Sequence, residues 1–197
     1  MNNKRENGLL AEGRQWAEGR SPWARILFLA YLVAVFHQHL RDPAYRSLFG
    51  GLNLGIHELG HLLAGPLGAT LQIAAGTLAQ CLAPAVAALL FRRQGDFFAV
   101  GFAGCWLGIN FFEVATYAGD AVVRQLPLVS PFAGQPVHDW NYLLGMAGLL
   151  GHAAWVARLF RLAGGLCYFA GLAYAGWLIL VMLQTRSAQR KPPSADG

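Results

Sequence analysis

Charge is what this sequence has least of. Only 13% of its 197 residues are Asp, Glu, Lys or Arg, whereas a soluble domain carries about 25%. Hydrophobic residues make up 55%, so a soluble globular core of ordinary design is excluded. Cysteine is scarce too. Cys81, Cys105 and Cys167 are odd in number, form no CxxC pair and each sit inside an apolar run. They read as small buried hydrophobes rather than as a disulfide framework or a cysteine metal site. The net charge is +5, but no Lys/Arg run is interleaved with aromatics, which excludes a nucleic-acid partner. On a membrane protein such a charge reads as loop asymmetry and contact with anionic headgroups. A cleavable leader is not expected. Charges from Lys4 to Arg25 make the lead-in too long, and no small-x-small site follows the first apolar run.

Long hydrophobic runs fill the space that charge leaves. A helix needs roughly 20 apolar residues to cross about 30 Å of hydrocarbon. Six segments qualify by eye: about 24–40, 47–66, 70–91, 97–118, 141–160 and 162–183. The fold class expected is therefore all-α, a polytopic membrane helix bundle with about six transmembrane helices. Residues 1–22 form a polar N-terminal segment, 23–184 the bundle, and 185–197 a polar tail with Pro192 and Pro193. Between the fourth and fifth segments, Pro127, Pro131, Gly134 and Pro136 mark a loop. Glycines at spacings of three and four, such as Gly101, Gly104 and Gly108, allow close backbone packing between helices.

Six crossings put both termini on one side. Basic residues at both ends then place them in the cytoplasm of a bacterial-type inner membrane. On that topology the polar residues of the second, fourth and fifth segments all converge on the cytoplasmic half.

Within the second segment stands His57-Glu58-Leu59-Gly60-His61. Histidines four apart lie one helical turn apart on one face, where both imidazoles reach a single Zn²⁺. Glu58 falls beside them, placed to accept a proton from a water at the metal. Ionisable groups inside an apolar helix are costly unless they face a cavity and a partner, so the cluster reads as functional. Asn53, one turn before His57, either orients a ligand or makes a helix contact. In the fourth segment Asn110, Glu113, Tyr117 and Asp120 share a face. Asp120 is a candidate third metal ligand there, and Glu113 is an inner acid or the partner of an arginine. His138-Asp139-Trp140 opens the fifth segment, and His138 or Asp139 is a rival third ligand. The plainer reading has Asp139 capping the helix and Trp140 anchoring at the interface. His152 reads as a helix-contact histidine.

These residues resemble the site-2 protease family of intramembrane zinc metalloproteases. The resemblance is carried by the His57–His61 motif in a membrane helix and by Asn110 followed at a distance by Asp120, and it covers roughly residues 47–121. It implies that His57 and His61 are zinc ligands, Glu58 the general base and Asp120 the aspartate ligand, taken ahead of Asp139. The match departs from the family pattern in two places. Asp120 is followed by Ala121 rather than glycine, and no proline separates Asn110 from Asp120. No polar block holds an inserted regulatory domain. The activity expected is peptide-bond hydrolysis in membrane-embedded protein or peptide substrates, with Zn²⁺ as cofactor. A non-proteolytic membrane protein, either a metal-dependent lipid hydrolase or a zinc-binding transporter or assembly factor, is the alternative. Oligomeric state is not legible in the sequence.

Overall fold

The structure, a computed structural model, describes residues 8–128 and 137–189. All its regular elements are helices: α1 (Leu9–Ala17), α2 (Trp23–Arg41), α3 (Gly50–Ala64), α4 (Ala69–Arg93), α5 (Phe97–Gly119), α6 (Asp139–Met146) and α7 (Ala153–Gln189). Single 3₁₀ turns at Gly65–Leu67 and Leu150–His152 link α3 to α4 and α6 to α7. The all-helical bundle is as expected, with fewer than six candidate spans among the described residues. Four helices, α2, α4, α5 and α7, are long and apolar enough to cross a membrane.

The difference has two sources. The second apolar segment becomes α3, whose 15 residues reach only about 22 Å, short of the roughly 30 Å of hydrocarbon. The fifth segment breaks at Gly148, whose φ of +68° is a left-handed conformation that favours glycine. Its front half is the short α6, and its back half runs into the sixth segment as α7, 37 residues long. The central pair of the bundle is α5 against α7, antiparallel and in close contact through glycines. A Cβ on Gly108 would lie 2.7 Å from the Tyr168 Cβ, and one on Gly171 would lie 2.6 Å from the Cys105 backbone nitrogen. α2 packs alongside them: the Tyr168 hydroxyl donates to the Leu32 carbonyl, and Phe36 stacks on Tyr168. Asp96 caps α5 by accepting the Ala99 N–H.

The contacts also fix which ends of the helices lie together. The surface helix α1 packs on the C-terminal half of α7, with the Tyr174 hydroxyl donating to the Leu9 carbonyl. Glu12 of α1 meets Arg92 at the end of α4. Both described chain ends therefore lie at one end of the bundle. At the opposite end the chain leaves α2, touches Thr116 through the Pro43 carbonyl, and turns inward until Phe49 packs against Phe102. Phe102 lies 14 residues before Thr116 on α5, about 21 Å deeper. α3 then rises beside α4 and α5 back to the end where it entered. Its course runs inward and back, with Asn53, His57 and Gly60 buried against its neighbours and Leu52, Leu59 and Leu63 exposed on the outer side.

Candidate metal centre

α3 and α4 run antiparallel and very close, because Gly60 of α3 rests on the Ala75 carbonyl with no room for a side chain. This closeness brings the His57 and His61 rings onto α4. The His57 Nδ1–H donates to Gln80 Oε1 at 2.6 Å. The His61 Nδ1–H donates to the Gln72 carbonyl at 2.8 Å. Both acceptors fix the tautomer, so each ring turns an Nε2 lone pair inward. Asp139, the first residue of α6, meets those lone pairs. Its Oδ2 lies 2.9 Å from the His57 Nε2 and 3.2 Å from the His61 Nε2. His57 and Asp139 are buried and His61 is half-buried.

Three electron-pair donors facing one another at these distances repel unless positive charge lies among them. Their ligand atoms all fall within 4.8 Å of one another and could hold a metal ion. Bonds of about 2.0–2.1 Å in a tetrahedron set ligand atoms about 3.3 Å apart, close to the two distances from the Asp139 Oδ2. The space beside them is also kept open. A Cβ on Gly76 of α4 would sit 2.6 Å from the Nε2 of both His57 and His61. The donor set and the hollow both fit a metal.

The two aspartates read as candidate third ligands are placed differently. Asp120 lies just past the end of α5, and its carboxylate accepts the backbone N–H groups of Gln125 and Leu126 at 2.9 and 3.0 Å. His138 Nε2 also donates to it, at 3.3 Å. Burial pushes the Asp120 carboxyl up, but these donors outweigh that and hold it below the ordinary carboxylate value. Asp120 thus anchors the turn after α5 and stands outside the His57–His61–Asp139 group. His138 is likewise occupied. Besides donating to Asp120, it caps α6 by accepting the Asn141 N–H on Nδ1. The capping role read for Asp139 belongs to His138, which leaves the Asp139 carboxylate free to face the histidines. Trp140 packs edge-on against Phe160.

The polar residues behind the site form two sets. Asn110 accepts from Gln80 Nε2 at 3.4 Å and donates to the Trp106 carbonyl, so it steadies Gln80, which in turn holds His57. Asn53 instead joins α3 to α5: it donates to Glu113 Oε2 at 2.8 Å and accepts from Trp106 Nε1 at 2.7 Å. It is the helix contact rather than the orienting group. Glu113 pairs with Asn53, with no arginine within salt-bridge distance among the described residues. Gln80 and Gly76 escaped the sequence reading. A glutamine inside an apolar helix was the one signal available for the first, and nothing distinguished Gly76 from the packing glycines.

Beside the metal group opens a cleft of about 190 Å³, walled by Leu54, Val114 and Leu126 and faced by His57, Glu58 and Tyr117. Glu58 is half-buried and looks into this space rather than into the ligand group. Site and cleft lie at the end of the bundle away from the two described chain ends, contrary to the expectation that they share a side. No protein-family model, curated protein or solved structure matches the chain.

Proposed function

We propose that this chain is a membrane-embedded zinc hydrolase that cleaves peptide bonds in membrane-inserted polypeptides, as the resemblance to site-2 proteases implies. One observation carries the reading. His57, His61 and Asp139 converge on a single point, while Glu58, between the two histidines in sequence, faces an adjoining cleft. A metal storage or transport site has no need of that carboxylate. Two imidazoles and one carboxylate are a donor set that suits zinc and leaves a fourth position open. Zinc bound there supplies electrophilic polarisation of a carbonyl and a lowered pKa for water.

The remaining work falls to the chain itself. Glu58 takes the proton of the attacking water and returns it to the leaving amine. Gln80 and the Gln72 carbonyl keep His57 and His61 in one tautomer throughout. The apolar cleft walls receive an extended segment of substrate, and the re-entrant course of α3 brings the chemistry below the bundle surface without opening the fold.

The test uses full-length protein purified in detergent and a quenched fluorescent peptide containing an apolar membrane-spanning sequence. Wild type should hold one zinc per chain and cleave the peptide. Glu58→Gln should keep the zinc and lose cleavage by roughly 100-fold or more, at the lower end of general-base effects. Wild type without zinc, or Glu58→Gln with undiminished cleavage, rejects the reading.

A further inference from the structure

Tyr117 stands two residues before the end of α5 and faces the cleft together with His57 and Glu58. Its ring centroid is 6.1 Å from that of His57. Its hydroxyl oxygen accepts the backbone N–H of Asp139 at 3.0 Å. That bond occupies one lone pair on the side of the metal group and turns the phenolic proton away from the Asp139 nitrogen. No described residue accepts that proton. Gln80, Asn110 and His138 are already engaged. Gln80 Nε2 donates to Asn110, Asn110 to the Trp106 carbonyl, and His138 to Asp120. Glu58 is an acceptor by its role.

We infer that the Tyr117 hydroxyl is the hydrogen-bond donor that receives the oxyanion when a peptide carbonyl is attacked in this cleft. The inference rests on the hydrolase reading above. In the step concerned, the water oxygen forms a bond to the carbonyl carbon and its proton passes to Glu58. The carbonyl π pair moves onto oxygen, and the negative charge grows there. A fixed neutral donor aimed at that oxygen is stronger toward the charged oxygen than toward the ground-state carbonyl, so it lowers the barrier rather than merely binding substrate. Collapse breaks the C–N bond, the amine leaves with the proton held by Glu58, and Tyr117 neither gains nor loses a proton. The Asp139 N–H bond gives the phenol its fixed aim, and it ties the donor to the residue that completes the metal group.

Two variants of the full-length protein test this with the same fluorescent membrane-spanning peptide. Tyr117→Phe should lower kcat by about 100-fold, the scale of losing one oxyanion donor, with KM changed by less than about threefold. A phosphinic dipeptide, whose tetrahedral oxygens mimic the attacked carbonyl, should bind about tenfold more weakly to it. Ring-fluorinated tyrosine at position 117 keeps the oxygen that Asp139 needs but lowers the phenol pKa. The alkaline fall of kcat should therefore move to lower pH, because a phenolate cannot donate. If Tyr117→Phe also loses zinc, the fluorinated protein decides, since it preserves the contact to Asp139. An unshifted alkaline limb, or cleavage by Tyr117→Phe at the wild-type kcat, overturns the role of Tyr117 while leaving the hydrolase reading intact. Absence of any Glu58-dependent cleavage in wild type overturns both.

Discussion

The Asp139 carboxylate lies 2.9 Å from the Nε2 of His57 across 82 residues of sequence, and this contact, not one from Asp120, completes the group of three donors. Asp139→Ala should therefore abolish stoichiometric zinc. The loss should exceed the roughly 10–100-fold weakening typical of an outer-shell partner. Asp120→Ala should leave one zinc per chain and instead loosen the turn after α5, where Gln125 and Leu126 lose their acceptor. Elemental analysis of the two purified variants, with hydrogen exchange at residues 121–126, checks both halves. Zinc lost from the Asp120 variant and kept by the Asp139 variant would restore the order read from the sequence.

Gly76 should be as necessary to the metal as the ligands are. Its missing side chain is what leaves room in front of both Nε2 atoms, each 2.6 Å from where a Cβ would be. In a helix interior alanine is favoured over glycine by about 1 kcal/mol. That preference offsets part of the cost of pushing the two rings aside, so Gly76→Ala should keep the helical fold while losing zinc and cleavage. The pairing of unchanged helical content by circular dichroism with absent zinc is the expected signature. A variant that keeps the metal would show that the hollow is not where it sits.

Gln80 makes a finer prediction because it bonds His57 and Asn110 without being one of the three donors. Gln80→Met removes the acceptor of the His57 Nδ1–H, freeing the ring to turn or change tautomer. Zinc affinity should fall by about 10–100-fold, with the helical content unchanged by circular dichroism. Gln80→Glu restores an acceptor at the same reach and should recover most of that affinity. Equal zinc affinity in wild type and Gln80→Met, measured by competition with a chelator, would remove Gln80 from the site.

What could be read in advance followed the range of the forces involved. The His57–His61 pair is written four residues apart on one helix, so periodicity alone places both rings together. Asp139 and Asp120 both sit beside helix ends, and choosing between them needed the capping pattern of α6. That pattern is set by His138, a residue that seldom serves as a cap and so gave no warning. Span counting gave six segments where four helices have the length and apolarity of a crossing. The stretch around α3 is apolar enough for a crossing, but its course is decided by Asn53, Trp106 and Glu113, a tertiary linkage between residues about 50–60 positions apart in sequence. With two candidate spans fewer the parity was preserved and the chain ends stayed together, yet α5 ran the other way relative to them and carried the site to the opposite end. An apparent agreement among candidate ligands at one depth can therefore survive a change in the count, because neighbouring helices reverse together.

The α5–α7 contact gives the last prediction, and it concerns stability alone. Gly108 faces backbone rather than flexible side chain: an added Cβ would meet the Tyr168 Cβ at 2.7 Å, the Gly164 carbonyl at 2.8 Å and the Tyr168 nitrogen at 2.9 Å. None of these atoms moves without parting the two helices. Gly108→Ala should accordingly cost about 1–3 kcal/mol through overpacking, read as a lower Tm in detergent. Gly165 is the matched control, since a Cβ there meets nothing within 4 Å. Gly165→Ala should be neutral or slightly stabilising through helix propensity. Both sites lie in apolar helices and both changes add one methyl group. Hydrophobicity is therefore held constant, and a difference in Tm isolates the close approach itself. Equal Tm values would mean that α5 and α7 stand further apart than their glycines allow.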